Sequence, residues 1–213
     1  MKYKMVVFDV DGTLTNHDSS WRYIHEQINT WENKAEQFLI VYKQGEIDYK
    51  TFCLEESKFW KGLNVDFVEE IFNNIKLIDN CVDVLLKFKN EQYKIALLST
   101  GLQYIAKRIS KQIEFDYVLT NQLLDDGLQL TGDVVLNVYD EQKHHMLSMI
   151  ANKFGIGLNE VIYIGDGHND IECAKIAGYS VGLNSSNEEL ANIVSHNVRS
   201  DDLNDIFNII ANA

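Results

Sequence analysis

Residues 4–13 read KMVVFDVDGT, and the organisation of the whole chain follows from this stretch. Met5-Val6-Val7-Phe8 runs without a polar interruption into Asp9, and Asp11-Gly12 then signals a turn. A short, uninterrupted apolar run predicts a strand buried on both faces, as in a parallel sheet, that delivers its C-terminal end to a loop. Runs of the same kind recur at 94–98 (KIALL), 115–119 (FDYVL), 161–165 (VIYIG) and 179–183 (YSVGL). Residues 82–88, 102–113 and 145–154 carry apolar residues at helical spacing between them. Strands alternating with helices predict an α/β fold with a mostly parallel sheet. In such sheets ligands bind beyond the carboxyl ends of the strands, which directs attention to Asp9, Asp11, Ser99, Thr100 and Asp166.

Two segments break the alternation. Residues 19–75 hold no convincing strand but long helical stretches rich in Trp, Tyr, Phe, Glu and Lys. Gly45 and Gly62-Leu63-Asn64 punctuate them, and Asp48 and Asp66 are placed as helix N-caps. The reading is an inserted helical subdomain over 16–76, interrupting an α/β core made of 1–15 and 77–213. The second exception is 121–135, where Asp126-Gly127 between two apolar pairs predicts a β-hairpin.

The 213 residues suffice for a full hydrophobic core. The formal net charge of −13, from 32 acids against 19 bases, argues against nucleic acid or an anionic membrane as the main partner. Proline is absent, where about ten would be usual, which removes proline-rich linkers and PxxP ligands. Cys53, Cys81 and Cys173 are far apart and form no CxxC pair, as expected of reduced thiols in a cytoplasmic protein. The first apolar run is far shorter than a signal peptide needs, and no stretch approaches 18 apolar residues, so no membrane span is expected.

Four segments carry chemistry. Asp9 and Asp11, two apart at a strand end, suit a hard cation such as Mg²⁺, or a division of labour between nucleophile and general acid; an Asp-Gly turn alone would read the same. Ser99-Thr100-Gly101 before a helix makes an anion cradle or a plain N-cap. Gly165-Asp166-Gly167-His168-Asn169-Asp170 places two acids four apart across a strand-to-helix turn, either a second arm of a metal site or a capped loop. Lys143, in DEQKHHML, is either a solvated lysine or a charge that offsets a phosphate and an aspartate. Adjacent His144 and His145 are expected to face different ways on a helix; His17, His25 and His196 read as surface or packing residues.

Taken in order, DxD, S-T-G, K and GDGxxD resemble the motif set of the haloacid dehalogenase superfamily, most closely its phosphoserine-phosphatase-like branch. The resemblance spans nearly the whole chain. DVDGT (9–13) resembles the first motif, LLSTG (97–101) the second, Lys143 the third and GDGHND (165–170) the fourth. The hairpin DDGLQLTGDV (125–134) and the helical insert after the first motif match the branch as well. The resemblance implies a Rossmann-like three-layer core with a small α-helical cap, acting on a small phosphorylated metabolite as a monomer or homodimer. It implies that Asp9 is the nucleophile and Asp11 the general acid/base, with Lys143 offsetting charge. Ser99, Thr100, Gly101 and Asn169 would hold the phosphate. Mg²⁺ would be held by Asp9, the Asp11 carbonyl and Asp166, with Asp170 in support.

Phosphoserine is then the first candidate substrate, which would place the reaction in L-serine biosynthesis. Asp18 stands where the branch carries an acid for the substrate amine. The cap arginine expected for the substrate carboxylate is missing: 51–59 reads TFCLEESKF, with Leu54 and Glu56 near that place. The insert's only arginine, Arg22, lies on the opposite side of the cap in sequence, and Lys58 and Lys61 would be point charges in its stead, without the bidentate fork. The alternatives are another small phosphomonoester, such as a sugar phosphate or a phosphocholine-like ester, transfer to an acceptor alcohol, and a receiver-like phosphoacceptor domain.

Overall fold

The computed structural model describes residues 2–213; Met1, counted in the core segment above, lies outside the described residues. The strands are β1 (Met5–Phe8), β2 (Lys94–Leu102), β3 (Tyr117–Asp125), β4 (Leu130–Val135), β5 (Val161–Gly165), β6 (Tyr179–Leu183) and β7 (His196–Val198). They form one sheet in the order β4-β3-β2-β1-β5-β6-β7. Every pairing is parallel except β3 with β4. This is a Rossmann-like α/β fold, and β1, between β2 and β5, lies where the strand order reverses.

All four residues of β1 are buried because helices cover both faces. Alternation divides them: Val6 and Phe8 pack with Ile95, Leu97, Ile162 and Ile164 on one side, Met5 and Val7 with Ala96, Leu98, Val161 and Tyr163 on the other. Each such side chain contributes about 1.5–3 kcal/mol by leaving water.

Between β1 and the next core helix stand α1 (Ser20–Gln27), a π-helical turn (Trp31–Ala35), α2 (Glu36–Lys43), α3 (Tyr49–Lys58) and α4 (Val65–Asn73). The core helices are α5 (Cys81–Asn90), α6 (Gln103–Ser110), α7 (Lys143–Lys153), α8 (Ile171–Ile176), α9 (Glu188–Ile193) and α10 (Leu203–Ala211). Thr15 and Leu77 pair as an antiparallel bridge where the helical insert leaves and rejoins the core. The insert is held a second time by the β3–β4 hairpin: Gly62 N–H donates to Leu130 O at 2.8 Å, and Leu130 N–H to Leu63 O at 2.9 Å. Its interior is aromatic, with Trp60 wholly buried against Trp21 and His25. His25 Nε2 stands 2.7 Å from Glu56 Oε2, both side chains out of contact with water.

Several elements differ from expectation. The 94–98 run is only the first half of β2, which continues through Ser99-Thr100-Gly101 to Leu102. The 115–119 run and the first arm of the hairpin are one strand, β3, parallel to β2 at first and antiparallel to β4 beyond it. Asp48 caps α3, accepting Thr51 N–H at 2.7 Å, but α4 is capped by Asn64, not Asp66. The hairpin fixes that start, since Val65 N–H donates to Leu128 O at 2.9 Å and sets the backbone at the residue just before Asp66. The three cysteines are free and buried. Among the described residues no helix is long and apolar enough to cross a membrane.

Candidate active site

The carboxyl ends of β1, β2 and β5 bring three of the motifs together, and the first residue of α7 adds the fourth. Asp9 is tied to the sheet by its N–H, which donates to Ile164 O at 2.8 Å. Lys143 is fully buried, with Nζ 2.9 Å from Asp9 Oδ1 and 2.6 Å from Asp170 Oδ1. Tyr163 OH donates to the same Asp170 oxygen at 2.6 Å, and Asp166 N–H and Gly167 N–H both donate to Oδ2 at 2.9 Å. Asp170 thus has all its acceptor positions engaged, and it anchors both Lys143 and the 165–170 loop. Thr13 Oγ1 donates to Asp166 Oδ1 at 3.0 Å. Gly12 has φ +74°, and a Cβ there would overlap the Asp166 carboxylate, so only glycine lets the two loops approach.

Asp11 is buried beside this cluster, its Oδ2 accepting Ser20 N–H at 2.7 Å. Ser99 is buried and its Oγ accepts Gly101 N–H at 3.0 Å. Thr100 Oγ1 accepts Asn169 Nδ2 at 2.9 Å. The Thr100 carbonyl collects three donors: Trp21 Nε1 at 3.0 Å, Asn121 Nδ2 at 2.9 Å and Tyr49 OH at 3.3 Å. Because β2 runs on to Leu102, the S-T-G segment is the strand's end rather than a cap on α6.

Burial pushes Asp9 from the usual 3.8 up to about 7, against the pull of Lys143. Burial also raises Asp11, opposed chiefly by its hydrogen bonds to Ser20. Asp166 is held well above the carboxylate range by burial, then by the charges of Asp9 and Asp170. Lys143 is the converse: burial lowers it, but Asp170 and Asp9 more than offset this and keep it charged. One oxygen each of Asp9, Asp166 and Asp170 lies within 4.8 Å of the others. Three carboxylates here face a single ammonium, that of Lys143, which Asp9 Oδ1 and Asp170 Oδ1 share. An all-oxygen donor set with uncompensated negative charge fits a hard divalent cation.

Beside Asn169 a cleft of about 720 Å³ opens between insert and core, lined among others by Tyr42, Asp140, Glu141, His168 and Glu172. Tyr42 OH donates to Asp140 Oδ2 at 2.9 Å across it. Asp18 is exposed, its carboxylate 3.6 Å from His17 Nδ1. Arg22 pairs with Glu26 at 2.7 Å and Lys58 with Glu55, while Lys43 of the insert lines the cleft. Contrary to expectation, the His144 and His145 rings lie against each other, centroids 4.0 Å apart.

Thr13, Ser20, Asn121 and Tyr163 escaped the sequence reading as functional residues. Tyr163 left a signal, a hydroxyl inside an otherwise aliphatic buried strand. Ser20 and Asn121 left none, since neither residue type nor local pattern shows which partners the fold brings to them.

The model of the haloacid dehalogenase-like hydrolase family matches residues 6–175. A phosphoserine phosphatase of Archaeoglobus fulgidus is 27% identical over 206 residues, covering 94% of this chain and 58% of that protein. The chain therefore spans little more than half of this relative. The phosphoserine phosphatase of Methanocaldococcus jannaschii is 27% identical over 183 residues, covering 85% of this chain and 86% of its own length. A solved phosphoserine phosphatase described as a phospho-aspartyl intermediate analogue superposes with TM-score 0.81 at 26% identity, over 98% of this chain and 99% of that one.

Proposed function

Because the chain belongs to the haloacid dehalogenase-like hydrolase family, we propose that it is a phosphatase that hydrolyses a small phosphomonoester through an aspartyl-phosphate on Asp9. The observation that carries this is the convergence of buried Asp9, Asp11 and Lys143 with half-buried Asp166 at the carboxyl end of the sheet. A carboxylate oxygen of Asp9 bonds to phosphorus as the ester oxygen departs, and that oxygen takes its proton from Asp11. Burial, which favours the protonated carboxyl, suits Asp11 to this role. Water then attacks the aspartyl-phosphate, its proton passes to Asp11, and phosphate leaves with Asp9 restored.

Lys143 holds positive charge against Asp9 throughout and offsets the charge of the transferring group. Ser99 Oγ and Gly101 N–H, which satisfy each other at 3.0 Å, are the donors a phosphoryl oxygen takes over. Asn169, already on Thr100, borders the cleft from which the ester enters. Mg²⁺ would be held by Asp9, the Asp11 backbone carbonyl and Asp166, with Asp170 ordering the loop. When bound it supplies Lewis-acid polarisation of a phosphoryl oxygen.

Phosphoserine is the first candidate substrate, supported by the similarity to proteins named phosphoserine phosphatases. A second reading is an amino-alcohol phosphate lacking the carboxylate. It is favoured by the cleft acids Asp140, Glu141 and Glu172, and by Leu54 and the buried Glu56 where an arginine is expected. The test is phosphate release with Mg²⁺ from phosphoserine, phosphothreonine, phosphoethanolamine, phosphocholine, sugar phosphates and nucleotides. Release from at least one ester, lost on chelation and in Asp9→Asn, is expected. Full activity of Asp9→Asn would remove the nucleophile assignment.

A further inference from the structure

Ser20 lies outside the four motifs, yet it touches two of them. It opens α1, and its side chain is buried. Its N–H donates to Asp11 Oδ2 at 2.7 Å, and its Oγ sits beside that carboxyl, the two crowding the same side of Gly101. The same Oγ accepts Leu102 N–H at 2.8 Å, where the S-T-G segment passes into α6. Gly101 lies so close that a Cβ there would overlap Asp11 Oδ2 and Ser20 Oγ together. Two further residues of the helical insert rest on the same loop, for Trp21 and Tyr49 both donate to the Thr100 carbonyl.

We propose that Ser20 is a positioning residue: seated by α1, it orients the Asp11 carboxyl for proton transfer to the leaving oxygen. The amide donor commits one carboxyl oxygen, and the Oγ beside it, held by Leu102 N–H, limits the rotation of the carboxyl. The acid is then aligned only when α1 is docked on the core, so substrate closure and proton donation become a single event. This rests on the reading of Asp11 as general acid.

The leaving group separates the two roles a buried serine can have. An alkoxide needs its proton as the P–O bond breaks, whereas p-nitrophenolate departs unprotonated. A misaligned acid therefore slows alkyl esters selectively. The experiment measures kcat/KM for the fastest alkyl phosphate of the panel and for p-nitrophenyl phosphate, in wild type, Ser20→Ala, Ser20→Thr and Asp11→Asn. The quantity kcat/KM covers the steps up to aspartyl-phosphate formation, so the later hydrolysis common to both esters drops out. The alkyl-to-aryl ratio is also independent of the fraction of enzyme that is folded.

Asp11→Asn is expected to lower that ratio by about 100-fold or more, and Ser20→Ala by about tenfold, since the amide donor remains. Ser20→Thr, which keeps the hydroxyl, is expected to stay near wild type. A ratio unchanged in Ser20→Ala but lowered in Asp11→Asn overturns the role of Ser20 alone. A ratio unchanged in Asp11→Asn overturns the acid assignment and the Ser20 proposal with it.

Discussion

Lys143 shows how far one side chain's meaning depends on its surroundings. As text it stands among polar residues near a helix start, where a lysine is ordinarily solvated; in the fold it is wholly buried between Asp9 and Asp170. Removing one partner of a buried ionic group costs about 3–5 kcal/mol, because the remaining charges stay unpaired. Lys143→Met is therefore expected to lower the thermal midpoint by roughly 6–20 °C in EDTA. Scanning calorimetry checks it, and a midpoint within a degree of wild type would show that Asp9 and Asp170 do not need the ammonium. Gly12→Ala tests the neighbouring contact. Its Cβ cannot coexist with the present Asp166 position, so Asp166 must leave Thr13. The expected outcome is a loss of phosphate release of at least about 100-fold with far-ultraviolet dichroism unchanged, given how steeply rate falls with small misplacement. Asp9, Asp11, Lys143 and Asp166 stood out as candidates in the sequence because the four segments occur together and in order, although each segment alone has an ordinary use as a turn, a cap or a solvated charge. Ser20 and Asn121 did not, because an ordinary serine or asparagine acquires its role only from the partners the fold brings to it, Asp11 and Leu102 for the one and Thr100 and Val138 for the other.

Elements were legible where periodicity had length to act. The central strands announce themselves as apolar runs, and α7 and the hairpin turn at Asp126-Gly127 fall where their residues predict. β7 has only three residues, too few for any pattern. The boundary of α4 is an instance of tertiary contact overriding a local signal: Asp66 is a good cap by type, but the hairpin's hold on Leu63 and Val65 starts the helix at Val65. Asn64 Oδ1 accepts Phe67 N–H at 3.1 Å, whereas Asp66 lies inside the first turn. Asn64→Ala is accordingly expected to cost about 1 kcal/mol. Asp66→Ala, which removes only a favourable charge near the helix N-terminus, is expected to cost about 0.3–1 kcal/mol and to lose that effect at high salt. Urea midpoints of both variants at low and high ionic strength decide; an Asp66→Ala loss that is larger and indifferent to salt would return the cap to Asp66.

The charge of the whole molecule connects stability to the site. A net −13 is carried mainly at the surface, but the consequential acids are buried Asp9 and Asp11, half-buried Asp166 and, within the helical insert, buried Glu56. Burial raises all four, Asp9 to about 7, so the folded chain binds protons more tightly than the unfolded chain does. A group raised in this way gives stability that is complete below its unfolded value, 3.8 for Asp and 4.5 for Glu, and that is lost as pH climbs through the folded value. The lowered acids, such as Asp48, Asp126 and Asp202, are exposed hydrogen-bonded groups. They act in the opposite sense, but only below their own unfolded value, and weakly. Between about pH 4.5 and 7 the buried set prevails, and self-repulsion of the growing negative charge adds to it. In EDTA the protein is therefore expected to melt higher at pH 5 than at pH 7.5, by roughly 5–10 °C. Saturating Mg²⁺ at pH 7.5 favours the ionised carboxylates of the folded state and closes most of that gap by mass action. Calorimetry at the two pH values, with and without Mg²⁺, checks both halves. A higher midpoint at pH 7.5 in EDTA would mean that Lys143 and the Ser20 and Thr13 hydrogen bonds already neutralise the cluster, leaving the cation no role in holding the fold.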